Sequence, residues 1–517
     1  MKNGGPAAFK GLKTTDVCEK FLKPTTASAQ ESYCVAFKKD PGQERNIGKA
    51  TAFVSHAWGQ QFMDVVAALQ TYEMSDPHRR VSTFFWFDIF SNNQHKTAVR
   101  DFTWWQTVFR DNIGKIKKTL MVLEWEDPKP LSRAWCLWEI VSTVNTKSDF
   151  QVIMSLPSGS GFFMALEKNF AAVVSKLLSV DVSKAQAFNP SDEANIKKAV
   201  EATAGFDKVN QQVIKVLREW MFQVSLNVFA GTLPDIRALQ KFGTNVARLL
   251  HELGMLQEAK VVYENVVKDK RRVMGDEDLF ALLAMSNLGL VRSEIGEQQE
   301  GEAQTREALS LYERKHQADD SQTCVPYINL AKVLFDQGKY AESQGIYVKT
   351  LDVMTKMRLR KDPIALVVLN GLGDTLRAQG KISEAEPLLA ESLQQRQEDF
   401  GPKHPYTLES LHAMAQLLVA KGKSDEAESR LTEALRLARL VLGNTHPSTL
   451  AVTHTLASLN RDQKKFSEAE TLAQRALSGR RRVLGRRHPD SLKSEEHLVT
   501  VLKALGKGKE ADAVATK

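Results

Sequence analysis

The strongest constraint on this chain is a period. Gly254, Gly296, Gly338, Gly380, Gly422, Lys464 and Gly506 stand 42 residues apart, in six successive steps. Four positions after each comes an acid: Glu258, Glu300, Glu342, Glu384, Glu426, Glu468 and Glu510. A small residue follows each acid: Ala259, Gly301, Ser343, Ala385, Ala427, Ala469 and Ala511. A second marker, Gly-x-x-His-Pro, ends at His404-Pro405, His446-Pro447 and His488-Pro489, again 42 apart. Such a register means one supersecondary unit used repeatedly. Apolar helical segments flank each turn. Glycine supplies the left-handed conformation that ends a helix, the small residue lets two helices approach, and proline suits the first turn of the next. One helix pair cannot bury its own apolar face, so neighbours must stack into an all-α superhelical solenoid. Its concave inner surface suits an extended peptide.

The rest of the chain is of another kind. All eight tryptophans lie at or before Trp220, and beyond it the helix formers Ala, Leu, Glu, Lys, Arg and Gln dominate. In the first part, apolar runs at 51–56, 83–88, 119–123 and 150–154 read as strands. Helical segments follow at about 65–69, 104–116 and 132–144. Strands alternating with helices predict an α/β domain with a parallel sheet. Sites in such sheets gather at the carboxyl ends of the strands, here Ser55, Asp88 and Trp125.

Several function classes are excluded. The 517 residues carry 70 Lys+Arg against 62 Asp+Glu, a net +8 too dilute for a dedicated nucleic-acid binder. The arginines at 480–482, 486 and 487 read as a solvated helix end. No apolar run approaches the roughly 18 residues of a membrane span, and Met1-Lys2-Asn3-Gly4 opens no secretory signal. Cys18, Cys34, Cys136 and Cys324 form no CxxC pair, so the expectation is a reducing, cytoplasmic setting with no metal site. The run from Gly42 to Lys49-Ala50 imitates a phosphate-binding loop. Its glycine is one residue early, Ala50 replaces the hydroxyl that would hold magnesium, and the run precedes a strand. HExxH and GxSxG are absent.

Two resemblances refine this reading. Leu442-Gly443-Asn444-Thr445-His446-Pro447-Ser448-Thr449 and the 42-residue period resemble the tetratricopeptide (TPR) repeats of kinesin light chains, over about residues 242–517. In that family, asparagines on the first helix of successive repeats hold a peptide backbone. The matching positions are Asn245, Asn287 and Asn329, and the register continues with Gly371, Ala413, Thr455 and His497. The resemblance therefore implies peptide binding in the first three repeats. The other reading of these asparagines is local bonding to neighbouring backbone. Residues 1–240 lack the sustained heptads through which a kinesin light chain would bind its motor chain.

In the first part, Ser132-Arg133-Ala134-Trp135-Cys136-Leu137-Trp138-Glu139 resembles a segment of Toll/interleukin-receptor (TIR) domains, over roughly residues 50–160. That resemblance implies a flavodoxin-like fold. It also implies a catalytic Glu139 cleaving NAD, a dinucleotide pocket involving Ser55, His56, Trp58 and Trp135, and self-association through the domain. NAD would be a substrate, and no resident cofactor is expected. A carboxylate beside the ribose would stabilise an oxocarbenium-like state. Ala57-Trp58-Gly59-Gln60-Gln61 departs from the family's loop after the first strand, and Ser91 to Lys96 lacks its glycine.

The expected organisation is a helical lead at 1–50, an α/β TIR-like domain at 51–160, a helical connector at 161–241 and seven repeats at 242–517. Two functions fit. One is a signalling protein whose repeats read a peptide and whose head hydrolyses NAD on association. The other is a non-catalytic adaptor or cargo scaffold.

Overall fold

The computed structural model describes residues 5–76, 78–96, 102–168, 180–187, 189–203, 205–229, 236–315, 324–360 and 362–515. It divides into two compact units, Met1–Gln223 and Val224–Lys517.

In the first unit four short runs of apolar residues form parallel strands: β1 Ala52–Ser55, β2 Phe85–Trp86, β3 Lys118–Val122 and β4 Asp149–Ile153. Their order is β2-β1-β3-β4. Phe53 of β1 stands opposite Trp86 and Thr119, and Leu120 of β3 opposite Gln151. All four residues of β1 are buried, as expected of a parallel sheet covered on both faces. Val54, Leu120 and Val122 pack against Phe62, Val65 and Leu69 of α1 (Phe62–Met74). Phe53 instead packs against Phe109 and Ile113 of α2 (Phe102–Ile116). A third helix, α3 (Ala134–Asn145), follows β3.

The edge strand is shorter than its sequence predicts. Of residues 83–88 only Phe85 and Trp86 pair with β1, because Asp88–Ser91 already turns into a short helix. Nor do the expected boundaries at residues 50 and 160 separate packed units. Phe9, Val17 and Leu22 of the lead share the core of β1 and α1. Ala134 N donates to Gln186 O, and Phe162 packs its ring on Trp220 at 5.6 Å.

The second unit is a run of helix pairs. First helices span Ile236–Glu252, Leu279–Glu294, Val325–Asp336, Pro363–Ala378, Pro405–Ala420, Pro447–Asp462 and Pro489–Ala504. Second helices span Leu256–Met274, Gln298–Lys315, Tyr340–Lys356, Ile382–Phe400, Ser424–Val441, Phe466–Val483 and Gly508–Ala515. All seven turn positions have positive φ, from +63° at Lys464 to +97° at Gly296. Lysine at 464 therefore adopts a conformation that glycine reaches without steric penalty. The small residues after the acids are all buried. At Gly301 a Cβ would stand 2.5 Å from the carbonyl oxygen of Gly289.

Three devices tie repeats together. His404, His446 and His488 are N-caps: each Nδ1 accepts the amide N–H two residues on, at 3.2, 3.1 and 3.1 Å. Lysines just after the turns reach back to the preceding repeat, Lys339 to Glu302, Lys465 to Glu428 and Lys507 to Glu470, each at 2.7 Å. Two buried arginines 84 residues apart staple a second helix to the next first helix. Arg396 donates to Tyr406 O at 2.6 Å and Ser410 Oγ at 2.9 Å; Arg480 donates to Asp490 O at 3.0 Å and Ser494 Oγ at 2.7 Å.

Candidate functional site

The sheet order places one site of interest. Connections leave β1 in one direction toward β2 and in the other toward β3, and ligands of open α/β sheets bind at such a reversal, outside the carboxyl ends. Ser55 and His56 stand there, at the end of β1, with Asp88 just past β2. Helix α3 brings up Cys136 and Glu139. Its Cys136 Sγ lies 3.3 Å from the carbonyl oxygen of His56, to which it donates.

This group of polar side chains is buried and largely unbonded. Ser55 is fully buried, His56 is 5% exposed and Glu139 7%. Ser55 Oγ, His56 Nε2, Trp138 Nε1 and Glu139 Oε2 have no hydrogen-bond partner. Burial pushes the Glu139 carboxyl well above the usual carboxylate range, and the Asp88 charge adds to this; the Ser55 hydroxyl nearby acts the other way. Burial likewise raises the Cys136 thiol, helped by Glu139. His56 is pushed down by burial, although Asp88 Oδ1 lies 3.8 Å from its Nδ1 and opposes the shift. Burial thus favours the uncharged forms of both Glu139 and His56. The cluster can exchange hydrogen bonds or a proton with a ligand that reaches it.

The sequence-predicted residues sit in unequal places. Ser55, His56 and Glu139 come together. Trp58 is half-buried and donates from Nε1 to Asp88 Oδ2 at 2.6 Å. Trp135 packs at 5.4 Å on Phe109, and its Nε1 faces Asp192 Oδ2 at 3.4 Å. Both indoles are thus engaged with the protein rather than presenting a bare stacking face. Sequence reasoning missed Gln60, which accepts from Ala57 N at 2.8 Å and donates to Val122 O at 3.3 Å, pinning the loop after β1 to β3. It also missed Glu124 at the end of β3. Burial raises its carboxyl, with Ser158 nearby pulling it back down. No local sequence signal marked either residue, since Gln60 stands in a stretch that also holds Ser55, His56 and Gln61. Among the described residues no group of three or more His, Cys, Asp or Glu is placed to hold a metal ion.

The second candidate is the inner face of the repeats. Asn329 is buried, and its Nδ2 donates to Asn287 Oδ1 at 2.8 Å and Ser286 Oγ at 3.1 Å. Two of the three predicted peptide-holding asparagines thus bond each other across a repeat boundary. Asn245 is half-buried on the helix before them. Around them lie charges: Glu294 Oε2 meets His251 Nε2 at 2.5 Å, and Lys332 Nζ lies 3.3 Å from Asp336 Oδ2 and 3.9 Å from Glu294 Oε1. His251 and Lys332 hold the Glu294 carboxyl down at about 2 against the effect of burial.

This inner face is also bridged. His446 Nε2 stands 3.1 Å from Glu252 O, and His488 Nε2 3.0 Å from Glu294 O; both pairs are 194 residues apart. Tyr406 Oη donates to Glu252 Oε1 at 3.0 Å. The starts of the sixth and seventh repeats therefore touch the first-helix ends of repeats one and two.

Comparison with known proteins bears on this second unit. The sequence model of the tetratricopeptide repeat matches residues 322–391, 365–440 and 422–482. The array is one of TPR repeats. A Podospora anserina kinesin-light-chain protein with nearly identical TPR-like repeats is 24% identical. It covers 39% of this chain and 94% of its own, with a TM-score of 0.33. BtubC from P. vanneervenii is 18% identical over 43% of this chain and 87% of its own, with a TM-score of 0.33. A Rap protein solved with the competence and sporulation factor is 10% identical over 66% of this chain and 99% of its own, with a TM-score of 0.39. A search of curated proteins gives no match.

Proposed function

We propose that this chain is a TPR-based interaction protein that binds a protein or peptide partner along the inner face of its first repeats. The observation that carries this reading is the match of the TPR sequence model over residues 322–482. Repeats of this kind expose a continuous face made by successive first helices. Here that face presents half-buried Asn245 and Asn287 beside Glu294, Lys332 and Asp336. Amides and charges at that density fit an extended backbone flanked by polar side chains. Because Asn329 and Asn287 already bond each other, backbone capture falls first to Asn245.

The test is selection of a displayed random-peptide library on the full chain. Enriched peptides should lose binding to Asn245→Ala, each lost backbone bond weakening affinity by about 0.5–1.5 kcal/mol. A library that enriches nothing above a blank surface, or peptides indifferent to Asn245 and Asn287, sinks the reading.

A second reading concerns the α/β unit: a TIR-like head that cleaves NAD with Glu139 and acts on association. The unbonded Ser55, His56 and Glu139 favour it, since buried polar groups without partners call for an explanation. The nicotinamide ring of NAD is cationic, and its charge beside Glu139 would favour the carboxylate, the proton passing to the His56 imidazole or to solvent. The resulting carboxylate could then oppose charge on the ribose. Glu139→Gln should abolish nicotinamide release by the crowded full chain. A wild-type chain that releases no more than this variant would leave the non-catalytic scaffold.

A further inference from the structure

We propose that the imidazoles of His446 and His488 form a latch that holds the sixth and seventh repeats of the TPR array against the first and second. The argument starts from the rings' two nitrogens. In each, Nδ1 accepts the helix-start amide, of Ser448 and Asp490 respectively. A neutral imidazole that accepts at Nδ1 carries its proton on Nε2. That Nε2–H then donates to Glu252 O and Glu294 O. Both acceptors are the final residues of first helices, whose last carbonyls have no partner within the helix. One side chain thus caps the start of one helix and the end of another, more than four repeats away.

The turn glycines fit this closure. A Cβ on Gly254 would stand 2.6 Å from Pro447 Cδ and 2.8 Å from His446 Cδ2. On Gly296 it would stand 3.2 Å from His488 Cδ2. At Gly338, Gly380, Gly422 and Gly506 the same atom would meet nothing within 4 Å. Among the described turn glycines, Gly254 and Gly296 alone meet a His-Pro corner from later repeats. His404, which caps its own helix in the same way, lies two repeats from the end of this pattern and marks no such turn. Tyr406, two residues on, instead reaches Glu252 by its hydroxyl.

The latch is independent of what binds the inner face, so it stands or falls apart from the peptide-binding reading.

The experiment uses the full chain with His446→Asn and His488→Asn together. Asparagine is a strong N-cap and preserves the helix starts, but it lacks a second donor that reaches across. Amide exchange at Leu253, Gly254 and Met255 should accelerate about two- to tenfold, the loss expected for one hydrogen bond at each arm. The melting profile should remain that of a folded array. Unchanged exchange at 253–255 overturns the proposal. Gly254→Ala against Gly422→Ala gives a second measure. Their φ values match, +73° and +71°, so backbone strain is common to both. Faster amide exchange at Ser448, whose N–H His446 caps, in Gly254→Ala alone supports the latch, and equal exchange overturns it.

Discussion

Two sets of buried polar side chains, one in each unit, behave in opposite ways, although the array also holds unbonded atoms such as both ring nitrogens of His497. In the TPR array they are used as connectors: Arg396 and Arg480 repeat the same pair of bonds 84 residues apart, and His446 and His488 employ both ring nitrogens. In the α/β unit, Ser55, His56, Trp138 and Glu139 gather near the end of one strand with polar atoms left unbonded. Repetition explains the first behaviour. A bond that works in one repeat can work again wherever the register places the same residues. The second marks a place where folding alone does not account for the side chains present, the usual signature of a site.

The contrast can be broken most forcefully by acid. Burial, with nearby guanidinium groups, pushes His412 down to about 4, His454 to about 3 and His497 to about 4, all from 6.5. The folded array therefore keeps these rings neutral while the unfolded chain protonates them near 6.5. Their contribution is full above that pH and is lost as pH falls toward 4, at about 1.4 kcal/mol per pH unit for each ring. Denaturant midpoints of the array should drop steeply between pH 6.5 and 5, and His497→Gln should make the drop shallower. An equal slope in the variant would contradict the assigned burial.

Removing a connector is the next largest effect. Arg396→Ala leaves Tyr406 O and Leu366 O without their donor and opens a cavity, for a loss of about 3 kcal/mol. A change below 1 kcal/mol would mean that the repeated arginines are ornaments of the packing.

The α/β unit should respond in the opposite sense and more gently. Burial raises the Glu139 carboxyl of the folded state well above the 4.5 at which the unfolded group ionises. That contribution is full below pH 4.5 and is lost as pH rises toward the folded value, at about 1.4 kcal/mol per unit. Glu139→Gln, which cannot ionise, should therefore become progressively more stable than wild type as pH rises from 4.5 to 7. A constant difference would place an ionised Glu139 in the resting protein.

What the sequence made legible follows the same division. The array was written seven times, so its turns, small residues and prolines could be read directly. Even Lys464, in a glycine's place, adopts the left-handed turn. The lysines at 339, 381, 423, 465 and 507 recur at the same interval, but their meaning needed geometry: Lys339, Lys465 and Lys507 pair with acids of the preceding repeat, Lys381 reaches Gln344 there, and Lys423 pairs with Glu426 of its own repeat. The asparagine register was visible, yet not that Asn329 would spend its amide on Asn287. In the α/β unit the strands were legible as apolar runs. The burial of Glu139 was not, since it arises from the packing of α3 over Ser55, more than 80 residues earlier in the chain.

The two histidine bridges also bear on how the array assembles. Apart from these bridges and the Tyr406–Glu252 bond beside them, its helices meet mainly near neighbours in sequence, the local pattern that lets a chain fold quickly and from any starting point. A bond spanning 194 residues belongs to a different time scale, since it can form only after the intervening repeats have stacked with the right curvature. Closure then acts as a proofreading step: an array with one repeat misfolded would be left with two turns that never meet their histidines.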